Sequence, residues 1–274
     1  MPIRLLVTLL LFVALLPGQR EWWDEPYPPH RIADGLYHVG SKGLATYLIT
    51  TPEGHILINS SFERTLPIIR ENIETLGHKL SDVKIILGSH AHGDHMEGNG
   101  ALQELTGAQV FVMEGDDDVI ASGNSGRWKP SKVDRVLRDG DKVTLGGTTL
   151  TAVLTPGHTP GCTTWTLQAK DGDATYNVVI VGSPNVNAGV QLVNNAEYPR
   201  IAADFARSFK VWKSLPAQIF LGAHGDYYGM VAKYERFQAN PGINTFVDPD
   251  GYRAYIEERE RAYLENLEKQ RSGQ

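Results

Sequence analysis

The sequence predicts an α/β fold in which two halves, each a run of strands followed by a helix, pack sheet against sheet. Two observations carry this reading. Short apolar strands give way to a helix in the first half of the chain, and the same plan repeats in the second. Three strand ends also lead into loops that carry histidine, as expected where one seam gathers side chains from both halves.

The elements follow in order. Arg4 precedes an apolar run over residues 5–16 that Pro17-Gly18 closes. Such a run is too short to span a bilayer and right for the core of a secretory signal peptide. Residues 1–21 are therefore read as a leader cut between Leu16 and Trp22, and 22–274 as one periplasmic domain. Residues 35–40, 45–50 and 55–59 read as strands, with Pro52-Glu53-Gly54 as a turn. Residues 63–76 place Leu66, Ile69, Ile73 and Leu76 on one helical face, closed by Gly77. A buried strand over 83–87, a helix over 97–105, a strand over 109–113 and a short helix over 115–121 follow. Residues 122–131 form a Gly/Ser/Asn-rich loop holding Trp128. In the second half, strands are expected over 135–137, 142–144, 148–154, 163–167 and 176–181. A helix over 201–215, a strand over 218–221 and helices over 230–238 and 250–270 complete the chain.

Composition narrows the partners. Hydrophobic residues at 41% and charged residues at 21% are ordinary for a globular chain. A net charge of −6 with scattered basic residues argues against nucleic acid, and no Lys/Arg cluster marks an anionic membrane surface. Cys162 is the single cysteine, so no intramolecular disulfide forms. It reads as a small buried residue, with an outer neighbour of the His158 loop as the alternative.

The chemistry concentrates in Ser89-His90-Ala91-His92-Gly93-Asp94-His95, where three imidazoles and a carboxylate fall within six residues. These are the usual ligand types of a catalytic zinc. His158, in Thr155-Pro156-Gly157-His158, and His224, in Gly222-Ala223-His224-Gly225, each follow an apolar strand. Five of the nine histidines thus lie in strand-end loops; His30, His38, His55 and His78 read as surface or packing residues.

The order His90-x-His92-x-Asp94-His95, then His158, then His224, resembles the ligand pattern of the metallo-β-lactamase superfamily over almost all of the chain from Trp22. The resemblance implies a four-layer αβ/βα sandwich. Glyoxalase II, lactonase and phosphodiesterase members generally carry an Asp bridging both metals after the strand between the last two ligand loops. Ser183 stands there in this chain, which points to β-lactamases of subclass B3. The stretches 155–165, 186–192, 198–205 and 246–252 also look like that subclass.

Carried over by residue, the resemblance implies that His90, His92 and His158 bind one zinc, and Asp94, His95 and His224 a second. The implied reaction is zinc-dependent hydrolysis of the β-lactam amide of penicillins, cephalosporins or carbapenems by a monomer, with Asp94 orienting the attacking water. Ser183 and Asn185 are candidate contacts for the substrate carboxylate, and Phe62, Trp128 and Val190 for apolar walls. Two departures stand out. Val190 replaces a Tyr found in many B3 enzymes, so zinc alone would polarise the carbonyl. Ala217 and Tyr252 replace a cysteine pair, a loss of about 2–5 kcal/mol unless local packing compensates.

Overall fold

A computed structural model describes residues 22–273, so the leader assigned to residues 1–21 lies outside the described residues. One sheet has seven strands in chain order: β1 (His30–Ala33), β2 (Leu36–His38), β3 (Tyr47–Thr51), β4 (Gly54–Ile58), β5 (Val83–Leu87), β6 (Gln109–Met113) and β7 (Val133–Leu137). It is antiparallel from β1 to β4 and parallel from β4 to β7. The other has five strands: β8 (Lys142–Leu145), β9 (Thr148–Leu154), β10 (Thr163–Asp171), β11 (Ala174–Val181) and β12 (Ile219–Gly222). Its spatial order is β12-β11-β10-β9-β8, and only β11 and β12 pair in parallel.

Side chains alternate across a strand, so a parallel strand buried on both faces feeds two cores. In β5 and β6, Ile85, Leu87, Phe111 and Met113 join the core shared with Leu150, Trp165 and Val178 of the second sheet. Ile86, Val110 and Val112 face the opposite way, and the register shift at the start of β5 turns Val83 to that side as well. They pack with Leu66, Ile69 and Ile73 of helix Leu66–Thr75, Leu102 of helix Asn99–Thr106 and Ile120 of helix Asp117–Ala121. Beyond the second sheet, helix Ile201–Ser214 buries Phe205, Phe209 and Trp212, and the Trp212 indole donates to Thr164 Oγ1 on β10 at 2.8 Å. Helix Pro249–Arg271 adds Tyr252 and Ile256 to that core. The result is the expected four-layer αβ/βα sandwich.

Local departures from the sequence expectation have physical causes. Strand β1 begins at His30, directly after Pro28-Pro29, and lacks an apolar run because it is an edge strand. β10 and β11 extend to a hairpin at Asp171–Ala174, where Gln168 and Lys170 face solvent and the apolar signal fades. The helix expected over 97–105 runs as one helix, Asn99–Thr106, and a helical turn that the sequence did not suggest, Gly93–Met96, precedes it.

At the missing cysteine pair, packing takes over. Ala217 and Tyr252 line one cleft of about 300 Å³. Tyr252 is buried, meets the Phe220 ring edge-on at 5.3 Å and donates to the Trp212 carbonyl at 2.8 Å. Of the histidines outside the strand-end loops, His30, His38 and His55 are buried, and His78 is half-buried, edge-on to the His55 ring at 4.9 Å.

The two sheets are also stitched together at one end. Tyr47 Oη donates to the Gly222 carbonyl at 2.7 Å, and Trp165 Nε1 to the Gly88 carbonyl at 3.0 Å. The Thr163 amide donates to the Ser89 carbonyl at 2.7 Å and the Ala45 amide to the Ala223 carbonyl at 3.1 Å. The acceptors belong to, or directly precede, loops that carry histidine.

Candidate metal centre

All six ligand candidates meet at this stitched end. After β5 the chain turns through Ser89–His92 and coils into Gly93–Met96, which brings Asp94 and His95 round beside His90. The segment is held from behind. Asn59 Oδ1 accepts from the Ser89 amide at 2.8 Å, and the amides of Ser60 and Ser61 donate to the His95 carbonyl at 2.8 and 3.0 Å. His158 sits between β9 and β10, where Gly157 has a φ of +132° and no room for a side chain against Phe205. His224 follows β12 and bridges to Leu44.

The donors form two trios. Within His90, His92 and His158, and within Asp94, His95 and His224, one donor atom per residue lies within 4.8 Å of the others. Two close nitrogen pairs stand out: His158 Nε2 to His92 Nδ1 at 3.2 Å, and His95 Nε2 to His224 Nε2 at 3.1 Å. Asp94 Oδ2 lies 3.1 Å from His95 Nε2 and 3.5 Å from His224 Nε2. The His158 Nδ1 donates to the Asn185 carbonyl at 2.7 Å, which leaves Nε2 as the lone-pair donor.

Electrostatics agree with a cation site. Burial drives the His90 imidazole far below its ordinary value, and His95 and His158 beside it push the same way. Burial lowers His158 and His224 to about 3, so both are neutral lone-pair donors at physiological pH. Burial works to raise the Asp94 carboxyl, yet the imidazoles of His95, His224 and His92 overcome it and hold Asp94 well below the usual carboxylate range. Converging imidazole nitrogens beside one carboxylate repel each other's lone pairs unless a cation sits among them. Three imidazoles, and two imidazoles with a carboxylate, suit zinc, so the residues present fit the metal.

The trios open on a cleft of about 360 Å³ whose walls include Trp22, Trp23, Asn185, Asn187, Asp226 and Tyr227. The Trp23 ring lies 5.4 Å from that of His224 and 6.4 Å from that of Phe62. Of the expected substrate contacts, Asn185 is on the cleft wall. Ser183 lies behind it, fully buried, with its hydroxyl 3.2 Å from Tyr227 Oη and accepting from the Asn185 amide at 3.4 Å. Phe62 and Trp128 flank Gly93, 3.7 and 3.6 Å from where a side chain there would begin. Val190 packs against the main core at a neighbouring surface groove, and its carbonyl accepts from Gln270. Cys162 is buried, with Sγ 3.8 Å from the Ser183 carbonyl, and burial pushes its thiol up.

Sequence reasoning gave no role to Trp22 and Trp23, although two adjacent tryptophans before a Pro-rich stretch are an available signal. Asp226 and Tyr227 follow the candidate donor His224 after a single glycine, so the same loop signal extends to them. Asp116 carried no signal, because its partners are backbone amides and a hydroxyl from distant loops.

Comparisons with known proteins identify the family. The model of the metallo-beta-lactamase superfamily matches residues 44–172. Among curated proteins, human mitochondrial persulfide dioxygenase ETHE1 is 33% identical over 135 residues, 47% of each chain. The chain thus spans about half the length, or less, of the curated relatives it matches. Solved structures match far more fully. The metallo-β-lactamase FEZ-1 from Legionella gormanii is 46% identical, covers 90% of this chain and 98% of its own, and superposes with a TM-score of 0.88. BJP-1 of Bradyrhizobium japonicum, a subclass B3 metallo-β-lactamase, is 35% identical over 93% of this chain and 98% of its own, with a TM-score of 0.87. On identity sustained over nearly the whole length of such enzymes, the chain belongs to the metallo-β-lactamase superfamily, in its subclass B3.

Proposed function

We propose that the protein binds two zinc ions and hydrolyses the amide bond of β-lactam antibiotics, and that it does so in the periplasm and confers resistance. The observation that carries this reading is the pair of ligand trios opening on one cleft in a chain 46% identical to FEZ-1. Export rests on the apolar run over residues 5–16. No helix among the described residues is long and apolar enough to cross a membrane.

His90, His92 and His158 would hold one ion, and Asp94, His95 and His224 the other. Bound zinc would lower the pKa of a water towards roughly 7 and polarise the β-lactam carbonyl. The Asp94 carboxylate accepts a hydrogen bond from the attacking water and orients it towards the carbonyl carbon. Trp22, Trp23 and Tyr227 give the cleft aromatic walls beside the reacting bond. Asn185 donates one N–H to Tyr227 Oη at 3.0 Å, which leaves its second N–H for the substrate carboxylate. Ser183 accepts from the Asn185 backbone amide at 3.4 Å and meets Tyr227 Oη at 3.2 Å, so it supports Asn185 from behind. Val190 has no hydroxyl to place on the carbonyl.

A lactonase or thioesterase on the same scaffold is the alternative, and Ser183 speaks against it. Buried on Tyr227, this side chain has no carboxylate with which to bridge two metals. Turnover of a penicillin, a cephalosporin and a carbapenem, set beside a lactone and a thioester, tests the assignment. Hydrolysis of at least one β-lactam, well above both alternatives, is expected. Faster lactone or thioester hydrolysis would contradict it.

A further inference from the structure

Asp116 belongs to neither trio, yet its carboxyl joins the two loops from which the first trio is built. It is 2% exposed and follows β6, where its amide donates to the Met113 carbonyl at 3.1 Å. Its Oδ2 accepts from the Ala91 amide and from Thr159 Oγ1, both at 2.8 Å. Its Oδ1 accepts from the Gly161 amide at 2.9 Å. Ala91 stands between His90 and His92; Thr159 follows His158 directly and Gly161 closes the same turn two residues later.

The fit leaves little freedom. A side chain at Gly161 would begin 2.7 Å from Asp116 Cβ and backbone nitrogen, so glycine lets this loop close onto the carboxyl. Burial pushes the Asp116 carboxyl up, and the Thr159, Gly161 and Ala91 donors pull it back. No lysine or arginine pairs with it among the described residues. A buried carboxyl without a counter-cation is costly unless its oxygens are satisfied, and here three donors from two loops satisfy them. Each loop is therefore tied to the same rigid sheet end. A direct bond from the Thr163 amide to the Ser89 carbonyl adds a second tie beside it.

We infer that Asp116 is the positioning residue of the first metal trio, clamping the 90–92 and 158–161 segments at the spacing that lets His90, His92 and His158 converge on one ion. It touches neither metal nor substrate and acts through the backbone of the ligand loops. The inference rests on the zinc reading given above.

The test is zinc affinity, read by competition with a chelator in a His224→Ala background where only the first trio is complete. Asp116→Asn keeps the size but sets an NH2 group against N–H donors. We expect zinc to bind about 10- to 100-fold more weakly, the usual effect of removing an outer support of a metal ligand. Thr159→Val deletes one of the three donors and is expected to weaken binding by a smaller factor in the same direction. A lowered Tm with zinc affinity within about threefold of the parent would mean a merely structural role and overturn the inference. If Asp116→Asn does not fold, unchanged affinity in Thr159→Val overturns it alone. A protein with both trios intact that binds no zinc overturns the metal reading and this inference with it. Zinc binding that Asp116→Asn leaves unaltered overturns only the role of Asp116.

Discussion

His90→Ala and His224→Ala are each expected to lower β-lactam turnover by about 10³-fold or more, some 4 kcal/mol of barrier. The two residues come from different loops and different trios, so their joint loss of function would mean that both trios serve one reaction. Each is embedded at the stitched end of the sheets, and truncation removes a nitrogen while the hydrogen bonds holding its loop remain. The fold should survive, as far-UV circular dichroism would show. Zinc content should fall by about one equivalent in each variant, since each trio keeps only two donors. His55→Ala, at a buried histidine outside the cleft, is the control and should retain turnover. Near-normal turnover in either ligand variant contradicts the assignment.

A second large effect is expected away from the cleft. His30 is stacked between His38, at 4.9 Å, and Tyr234, at 4.3 Å, with Phe246 at 5.6 Å. Its Nδ1 donates to the Pro28 carbonyl at 3.0 Å, while Nε2 has no partner. Burial lowers its pKa to about 4, and burial also drives His38 well below the ordinary value. The folded pKa lies below that of the unfolded chain. This contribution to stability is therefore fully present above about pH 6.5 and is lost as pH falls towards 4, because the unfolded state takes up a proton the native state refuses. For His30 alone the loss is about 2 kcal/mol by pH 5 and about 3 kcal/mol once pH passes below 4. His30→Phe keeps the stack and removes the titration. In urea unfolding, its advantage over the parent should widen by about 2 kcal/mol between pH 8 and pH 5. A constant difference across that range would contradict the account.

Much of this architecture could be read before any coordinates. The apolar runs around Ile85 and Val110 are strands because both faces are buried, which suppresses alternation but leaves a strong signal. The convergence of the six candidate donors was legible for another reason. Six side chains of metal-binding type at strand ends have few uses besides a shared ion, and all six converge. Legibility failed where a contact depends on tertiary placement. Ser183 and Asn185 read alike in sequence, and only the position of Tyr227 decides that one is buried and the other reaches the cleft. Asp116 carries no local pattern, because its three donors lie 25 to 45 residues away. Trp22 and Trp23 come from the start of the chain and reach the metal loops only through the fold. The helical turn over Gly93–Met96 was hidden by its glycine and by short length, and it is fixed by the bonds of Ser60 and Ser61 to the His95 carbonyl.

The central claim is that two zinc ions on these trios make a β-lactam hydrolase, and metal removal with stepwise restoration tests it most directly. Protein covering residues 22–274 would be stripped with a chelator, then titrated with zinc while carbapenem and penicillin hydrolysis is followed. The account predicts loss of turnover on stripping and recovery that saturates near two zinc per chain. Turnover that survives complete removal of the metal would contradict it, as would a chain that takes up two zinc ions and hydrolyses neither drug.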